Sequence, residues 1–219
     1  MTTRPMAQPT VLLSGFEPFG GATVNPSWQV AQALHGELIA GSRVQALCLP
    51  CVFGEALAVL QGALRLHRPT VVLALGLAAN RAVLSLERVA INVDDARIAD
   101  NAGAQPLDVP VVAGAPAAYF STLPIKAIVQ ALQRAGVPAE VSQTAGTFVC
   151  NHAFFGLMHA LGQRPGVRAG FMHLPLLPQQ ATADCPGLDL ATQVRGVRLA
   201  LQTTLQTGAD LRWSAGTIA

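Results

Sequence analysis

The feature that most constrains this chain is a regular alternation of short, wholly apolar runs with segments of helical period. The run TVLLSG (10–15) is too short for a helix and ends in Gly, so it predicts a buried strand. NPSWQVAQALHGEL follows, with Pro26 at a first helical position and Asn25 as a possible cap. SRVQALCLP predicts a second strand closed by Pro50. Beyond it, Val52, Ala56, Val59, Leu60, Ala63 and Leu64 recur at helical spacing, and Pro69 lies past the end. TVVLALG (70–76) is apolar on both faces and so is a strand covered on both sides. This β-α-β-α-β order predicts an α/β fold. The sheet is mixed, mostly parallel and covered by helices on both faces, a three-layer sandwich.

The middle of the chain breaks the pattern. Residues 84–116 hold one strand-like piece, ERVAIN, and are otherwise rich in Gly, Pro, Asp and Asn. A long irregular segment inside a compact domain is more often functional than idle. Alternation then resumes. LPIKAIVQALQRAG predicts a helix ended by Gly136, and AEVSQT a strand. AGTFVCNHAFFGLMHAL predicts a turn running into a helix, VRAGFMHLPLLP a strand that stops at Pro175, and LDLATQVRGVRLALQTTLQTG the closing helix. With no internal repeat or linker, residues 1–219 are expected to form a single domain.

Composition bounds the function. The chain has 219 residues, is 51% hydrophobic and only 12% charged, and carries a net charge of +2. A sizeable core is therefore expected, and with Lys and Arg scattered no nucleic-acid partner is expected. The apolar runs are too short to span a bilayer, so no membrane partner is expected either. MTTRPMAQPT lacks an apolar stretch of secretory type, and four cysteines in 219 residues make no disulfide scaffold. Both point to a cytoplasmic protein with free thiols.

Ligands of open α/β sheets bind at the carboxyl ends of the strands. Four segments are expected at that rim: SGFEPFGG, GLAANR, the turn before Cys150, and the end of the strand that carries His173. A cysteine at a helix N-terminus has its thiolate stabilised by the helix dipole, and a nearby imidazole could ionise it further. A further polar group must then orient the imidazole. From the residues alone, Cys150 reads more readily as an inert buried thiol, and His173 as a hydrogen-bonded structural residue. His152 lies two residues from Cys150, where neighbours diverge around a helix, and His159 lies down the same helix; both are read as structural.

Four blocks carry a resemblance: SGFEPFGGATVNPSW, ERVAINVDDARIADNAGAQP, AGTFVCNHAFFGLMH and GFMHLPLLPQQ. In order and spacing they resemble the signature blocks of pyroglutamyl peptidase I, the pyrrolidone-carboxylate peptidase family. The resemblance implies a phosphorylase/hydrolase-like fold. It also implies a cysteine exopeptidase that removes N-terminal pyroglutamate, needs no metal or cofactor, and assembles as a cytoplasmic homo-tetramer. Its substrates would be N-terminally pyroglutamylated peptides. Cys150 would be the nucleophile, His173 the base and Glu87 the group orienting it. Phe16, Phe19, Ile98, Phe148 and Val149 would belong to the ring pocket. Arg97 would stabilise the oxyanion with the Cys150 backbone N–H, and Asn25 and Leu77 would complete the binding residues. Asp94, Asp95 and Asp100 could instead be ion-pair partners of Arg97.

The chain departs from the family pattern after the third strand. Leu77 stands where the family shows Gln, Ala79 and Asn80 stand for two glycines, and RIADN stands for RIPDN. Rival readings are a non-catalytic or altered-specificity member of the same fold, and a thiol redox protein using Cys48 and Cys51 in CLPC. Cys185, in TADCPG, is expected to be an unpaired surface thiol.

Overall fold

The computed structural model describes residues 8–162, 164, 166–182 and 185–216. The strands are β1 (Thr10–Phe16), β2 (Leu38–Ile39), β3 (Ser42–Leu49), β4 (Val71–Leu77), β5 (Leu84–Glu87), β6 (Val89–Ile91), β7 (Ala118–Phe120), β8 (Ala139–Ser142) and β9 (Arg168–Leu174). The helices are α1 (Pro26–Ala33), α2 (Glu55–His67), α3 (Ile125–Arg134), α4 (Val149–Leu161) and α5 (Leu190–Gln206).

Seven strands form one sheet in the order β2-β3-β1-β4-β9-β5-β8, and β6 pairs with β7 beside it. Strands β3, β1, β4 and β9 run parallel. β5 is antiparallel to β9, and β8 is parallel to β5, so the sheet is mixed as expected. Side chains alternate across it. Leu13, Val71, Leu73, Leu86 and Met172 meet α1, α3 and α5 on one face. Leu12, Val72, Ala74 and Phe171 meet α2 and α4 on the other. The result is a three-layer α/β sandwich.

Local chemistry fixes the elements that matter for the site. Asn25 caps α1, its Oδ1 accepting from the Ser27 N–H at 3.1 Å and the Ser27 hydroxyl at 2.8 Å. The second helix begins at Glu55 rather than Val52, because Gly54 sits at φ 73°, outside the helical range. ERVAIN is not one strand. Glu87 ends β5, Arg88 breaks the run, and Val89 starts β6 in a different sheet. Just after the irregular middle segment lies β7, a strand that the sequence did not predict.

The helix α4 is the most buried of the set, with Asn151, His152 and every residue from Ala153 to Met158 shielded. Its strand, β8, lies at the sheet edge, beyond β5 and β9. Yet a Cβ placed on Gly76 of β4 would sit 2.7 Å from Cys150 Sγ. The chain therefore crosses back over two strands before α4 sets its thiol against the centre of the sheet.

Candidate active site

Cys150 is the second residue of α4, half-buried at the helix start, where the backbone N–H groups have no acceptor within the helix. Gly76 lies in register beside His173, and the Cys150 sulfur occupies the space above it. Any side chain at position 76 would collide with the thiol and with Phe171 Cζ, 2.8 Å from the added carbon. Gly76 is thus the floor on which the thiol rests, next to the imidazole.

His173 is 4% exposed, and its Nδ1 lies 2.7 Å from Glu87 Oε1. A carboxylate can only accept, so Nδ1 carries the proton and Nε2 keeps its lone pair for the cleft. The register brings the pair together. Ser85 stands opposite His173 and Glu87 opposite Phe171, so Glu87 and His173 are diagonal neighbours on one face of the antiparallel pair. Such diagonals lie within reach of long side chains. Glu87 has no exposed surface, and Arg81 Nη1 donates to the same Oε1 at 2.6 Å. Arg81 Nη2 donates to Thr144 O at 2.8 Å, in the loop leading to Cys150.

These groups open on a cleft of about 520 Å³ lined by Phe19, Leu77, Arg81, Arg97, Phe148, Cys150 and His173, among others. A smaller cavity of about 320 Å³ adjoins it, with Arg97, Ile98 and Phe148 in its wall. Phe19 and Phe148 are 6.2 Å apart between ring centroids, and Phe53 packs edge-on against Phe148 at 5.4 Å. Arg97 is exposed and forms no ion pair among the described residues. Asp95 lines the smaller cavity with Arg97, and the other two acidic residues named as its partners are engaged elsewhere. Asp94 Oδ2 binds His152 Nδ1 at 2.8 Å, and Asp100 accepts from the N–H groups of Phe53, Ala102 and Ala104.

Three expected binding residues line neither cavity. Phe16 and Val149 are packed into the core between the sheet, α2 and α4, behind Phe19 and Phe148. Asn25 is consumed by capping and by its bond to Glu17 O at 3.0 Å. His152 has both ring nitrogens occupied, since Nε2 accepts from the Gly54 N–H at 3.0 Å. It cannot serve as a base. His159 bonds Tyr119 Oη at 2.9 Å, away from the cleft.

The electrostatics at the thiol run against one expectation. Burial pushes the Cys150 thiol up, the Cys51 thiol and the Glu87 carboxylate add to this, and Arg81 pulls it down by less. Burial thus works against the helix N-terminus at Cys150, favouring the thiol over the thiolate. Cys48 and Cys51 fare similarly, burial first and Glu17 next; Cys51 is pushed up to about 12. CLPC lacks the helix start that activates redox cysteines, because Cys48 lies inside β3 and α2 begins only at Glu55. All four cysteines are free. Cys185 is buried rather than surface-exposed, its Sγ donating to Ala79 O with Arg81 O at 3.9 Å. Among the described residues no group of three or more His, Cys, Asp or Glu side chains could hold a metal ion.

The family model for pyroglutamyl peptidase matches residues 9–207. The chain belongs to the pyroglutamyl peptidase family. It is 57% identical to the pyrrolidone-carboxylate peptidase of Cupriavidus taiwanensis, over 95% of this chain and 98% of that protein. The corresponding protein of Escherichia fergusonii is 54% identical, over 94% of this chain and 98% of its own length. Among solved structures, pyroglutamyl peptidase I of Bacillus amyloliquefaciens superimposes with a TM-score of 0.90 at 42% identity, covering 93% of this chain and 100% of that one. Pyrrolidone carboxyl peptidase of Thermococcus litoralis gives 0.91 at 34% identity, covering 94% and 99%. The sequence pointed to Cys150, His173 and Glu87, which the fold of this pyroglutamyl peptidase family member brings to one rim, but gave no part to Gly76 or Arg81. The signal for Arg81 was in GLAANR, where it is the one charged residue of a rim loop.

Proposed function

We propose that this member of the pyroglutamyl peptidase family is a cysteine exopeptidase whose single catalytic domain removes N-terminal pyroglutamate with Cys150 as nucleophile, His173 as base and Glu87 as its orienting partner. The observation that carries this reading is the chain of contacts from Glu87 Oε1 through His173 Nδ1 to a cleft where the imidazole and the thiol sit beside Gly76.

The chemistry follows from the geometry. Cys150 Sγ attacks the carbonyl carbon of the pyroglutamyl amide while its proton passes to His173 Nε2. Glu87, fixed on Nδ1, stabilises the imidazolium that forms. The Cys150 backbone N–H and the unpaired Arg97 guanidinium are the donors for the developing oxyanion. The tetrahedral species collapses, the C–N bond breaks, and the leaving amine takes the proton from Nε2. Water then attacks the thioester, gives a proton to Nε2, and releases pyroglutamate as the thiol is restored.

A pyroglutamyl ring is flat, small and uncharged, so it needs an apolar slot with a few directed contacts. Phe19, Phe148, Leu77 and Ile98 supply such walls around the paired cavities. Asn25, Phe16 and Val149 act on this slot from behind, by holding the loop and the helix that carry its walls. Cytoplasmic location and a homo-tetrameric assembly rest on the family resemblance, and light scattering after gel filtration tests the latter. Among the described residues no helix is long and apolar enough to cross a membrane.

The deciding experiment is hydrolysis of a pyroglutamyl-linked fluorogenic amide by the wild type and by Cys150→Ala. Turnover by the wild type alone is expected. Equal turnover by both, with both folded by circular dichroism, sinks the assignment.

A further inference from the structure

Arg81 holds a place in the site that no step above uses. Its Nη1 and the His173 ring both donate to a single oxygen, Glu87 Oε1, at 2.6 and 2.7 Å. The other oxygen, Oε2, is buried with no partner. One oxygen therefore serves two donors, and the direction of the carboxylate is set by both. The second arm of the guanidinium donates to Thr144 O at 2.8 Å, six residues before the nucleophile. The planar fork thus ties the loop after β4, the end of β5 and the loop before α4 into one unit.

We propose that Arg81 is a positioning residue of the reaction, acting through Glu87 on His173; this assignment rests on the functional reading above. A carboxylate with no exposed surface is costly to keep charged unless a cation is bonded to it. Arg81 supplies that cation and fixes which oxygen faces the imidazole. Without it, Glu87 has one donor left and no solvent to compensate. The Thr144 arm aligns the thiol-bearing helix with the same carboxylate. The Arg81 backbone is itself held, because the buried Cys185 thiol donates to Ala79 O and approaches Arg81 O. The rim loop after β4 is thus anchored where it delivers the guanidinium.

The test is a double-mutant cycle of Arg81→Met and Glu87→Met, read as steady-state kinetics on a pyroglutamyl fluorogenic amide. Arg81→Met alone is expected to lower kcat about tenfold to a hundredfold, the size of one lost hydrogen bond to a charged group, with KM unchanged. In the Glu87→Met background the same change should add little, because the group it acts through is gone. Arg81→Lys should stay below the wild type in kcat, since one ammonium cannot span both acceptors. It also serves as the probe should Arg81→Met fail to fold. A rise in KM with kcat intact would make Arg81 a substrate contact and overturn the assignment. So would an equal cost in both backgrounds, or wild-type kcat in Arg81→Lys. A wild type with no turnover overturns the functional reading beneath it, and this assignment with it. Wild-type turnover with a cost that survives in Glu87→Met overturns this assignment alone.

Discussion

Glu87 and His173 lie on strands that run in opposite directions, and they meet on a diagonal: Glu87 is opposite Phe171, yet its Oε1 reaches His173 Nδ1 at 2.7 Å. The carboxylate enters the site from the side, across β5, while the imidazole stands at the carboxyl end of β9. The contact uses one carboxylate oxygen, and Oε2 is idle.

That asymmetry predicts a ranking of variants. His173→Ala should lower kcat by roughly 10²–10⁴, the usual worth of a positioned base. Glu87→Gln should cost less, since an amide oxygen at the Oε1 position still accepts from Nδ1 while the charge is lost. His152→Ala should leave the chemical step almost untouched and lower the melting temperature, because it removes the bonds to Asp94 and Gly54. Kinetics and thermal melts on the three variants check this order; a kcat lower in His152→Ala than in His173→Ala would reverse the choice of base.

Gly76→Ala should impair the enzyme although the residue carries no functional group. The added carbon would lie 2.7 Å from the nucleophilic sulfur and 2.8 Å from Phe171. One of them must move, and a displacement of about 1 Å at a reacting atom can cost about 10²-fold in rate. Gly62→Ala on α2 is the control, since its nearest neighbour is a flexible Arg65 atom at 4.0 Å. Full activity in Gly76→Ala would show that the thiol does not rest there.

Alkaline stability is expected to depend on the buried thiols. Burial, with help from Glu17 and Asp100, raises Cys51 from 9.0 to about 12. The unfolded chain then loses its proton at lower pH than the folded one. Between pH 9 and 12 the unfolded state binds fewer protons, so stability falls as pH rises. The contribution is complete below the unfolded value. Cys51→Ala should show a smaller drop in melting temperature between pH 8 and 11 than the wild type; parallel curves would contradict this. Cys150, raised in the same direction, should alkylate with iodoacetamide at a rate that climbs through alkaline pH. A rate already at its plateau at neutral pH would indicate a preformed thiolate.

Leu77 lines the cleft at the end of β4, at the position where the sequence resemblance implies a Gln. A missing hydrogen bond to a neutral lactam is worth about 0.5–1.5 kcal/mol, a several-fold to tenfold change in kcat/KM. Leu77→Gln is expected to raise kcat/KM on pyroglutamyl amides. A fall, with the fold intact and with gain on prolyl amides, would instead mark a pocket reshaped for another N-terminal group.

Most of the layer structure was legible because it follows from period and punctuation. Strands β1, β3, β4 and β9 are apolar runs closed by Gly or Pro or by loop residues, and α1 starts at its Asn25 cap. The register was not legible. Nothing local in LSLERVAIN says that the chain changes sheets at Arg88, so Glu87 was placed at the start of a strand it ends. The cleft partition was also hidden. Phe16, Phe19 and Phe148 are the same residue type, and only packing decides that Phe16 goes to the core while the other two face the cavity. Cys185 was misjudged for a related reason, since a turn sequence does not reveal the loop it will cover. The thiol's surroundings were half legible, because a helix start is visible in sequence and desolvation is not.

Cys150, Gly76, His173 and Glu87 all stand on strands or on a helix enclosed by the core, whereas Arg97, Ile98, Gly146 and the Leu77–Arg81 rim stand on loops or at a strand tip. The two halves of the site are therefore held by different amounts of packing. Substitutions on the loop side can alter which N-terminal group is admitted without disturbing the bond-breaking apparatus. On the sheet side the same number of changes would unpack the protein before they retuned it.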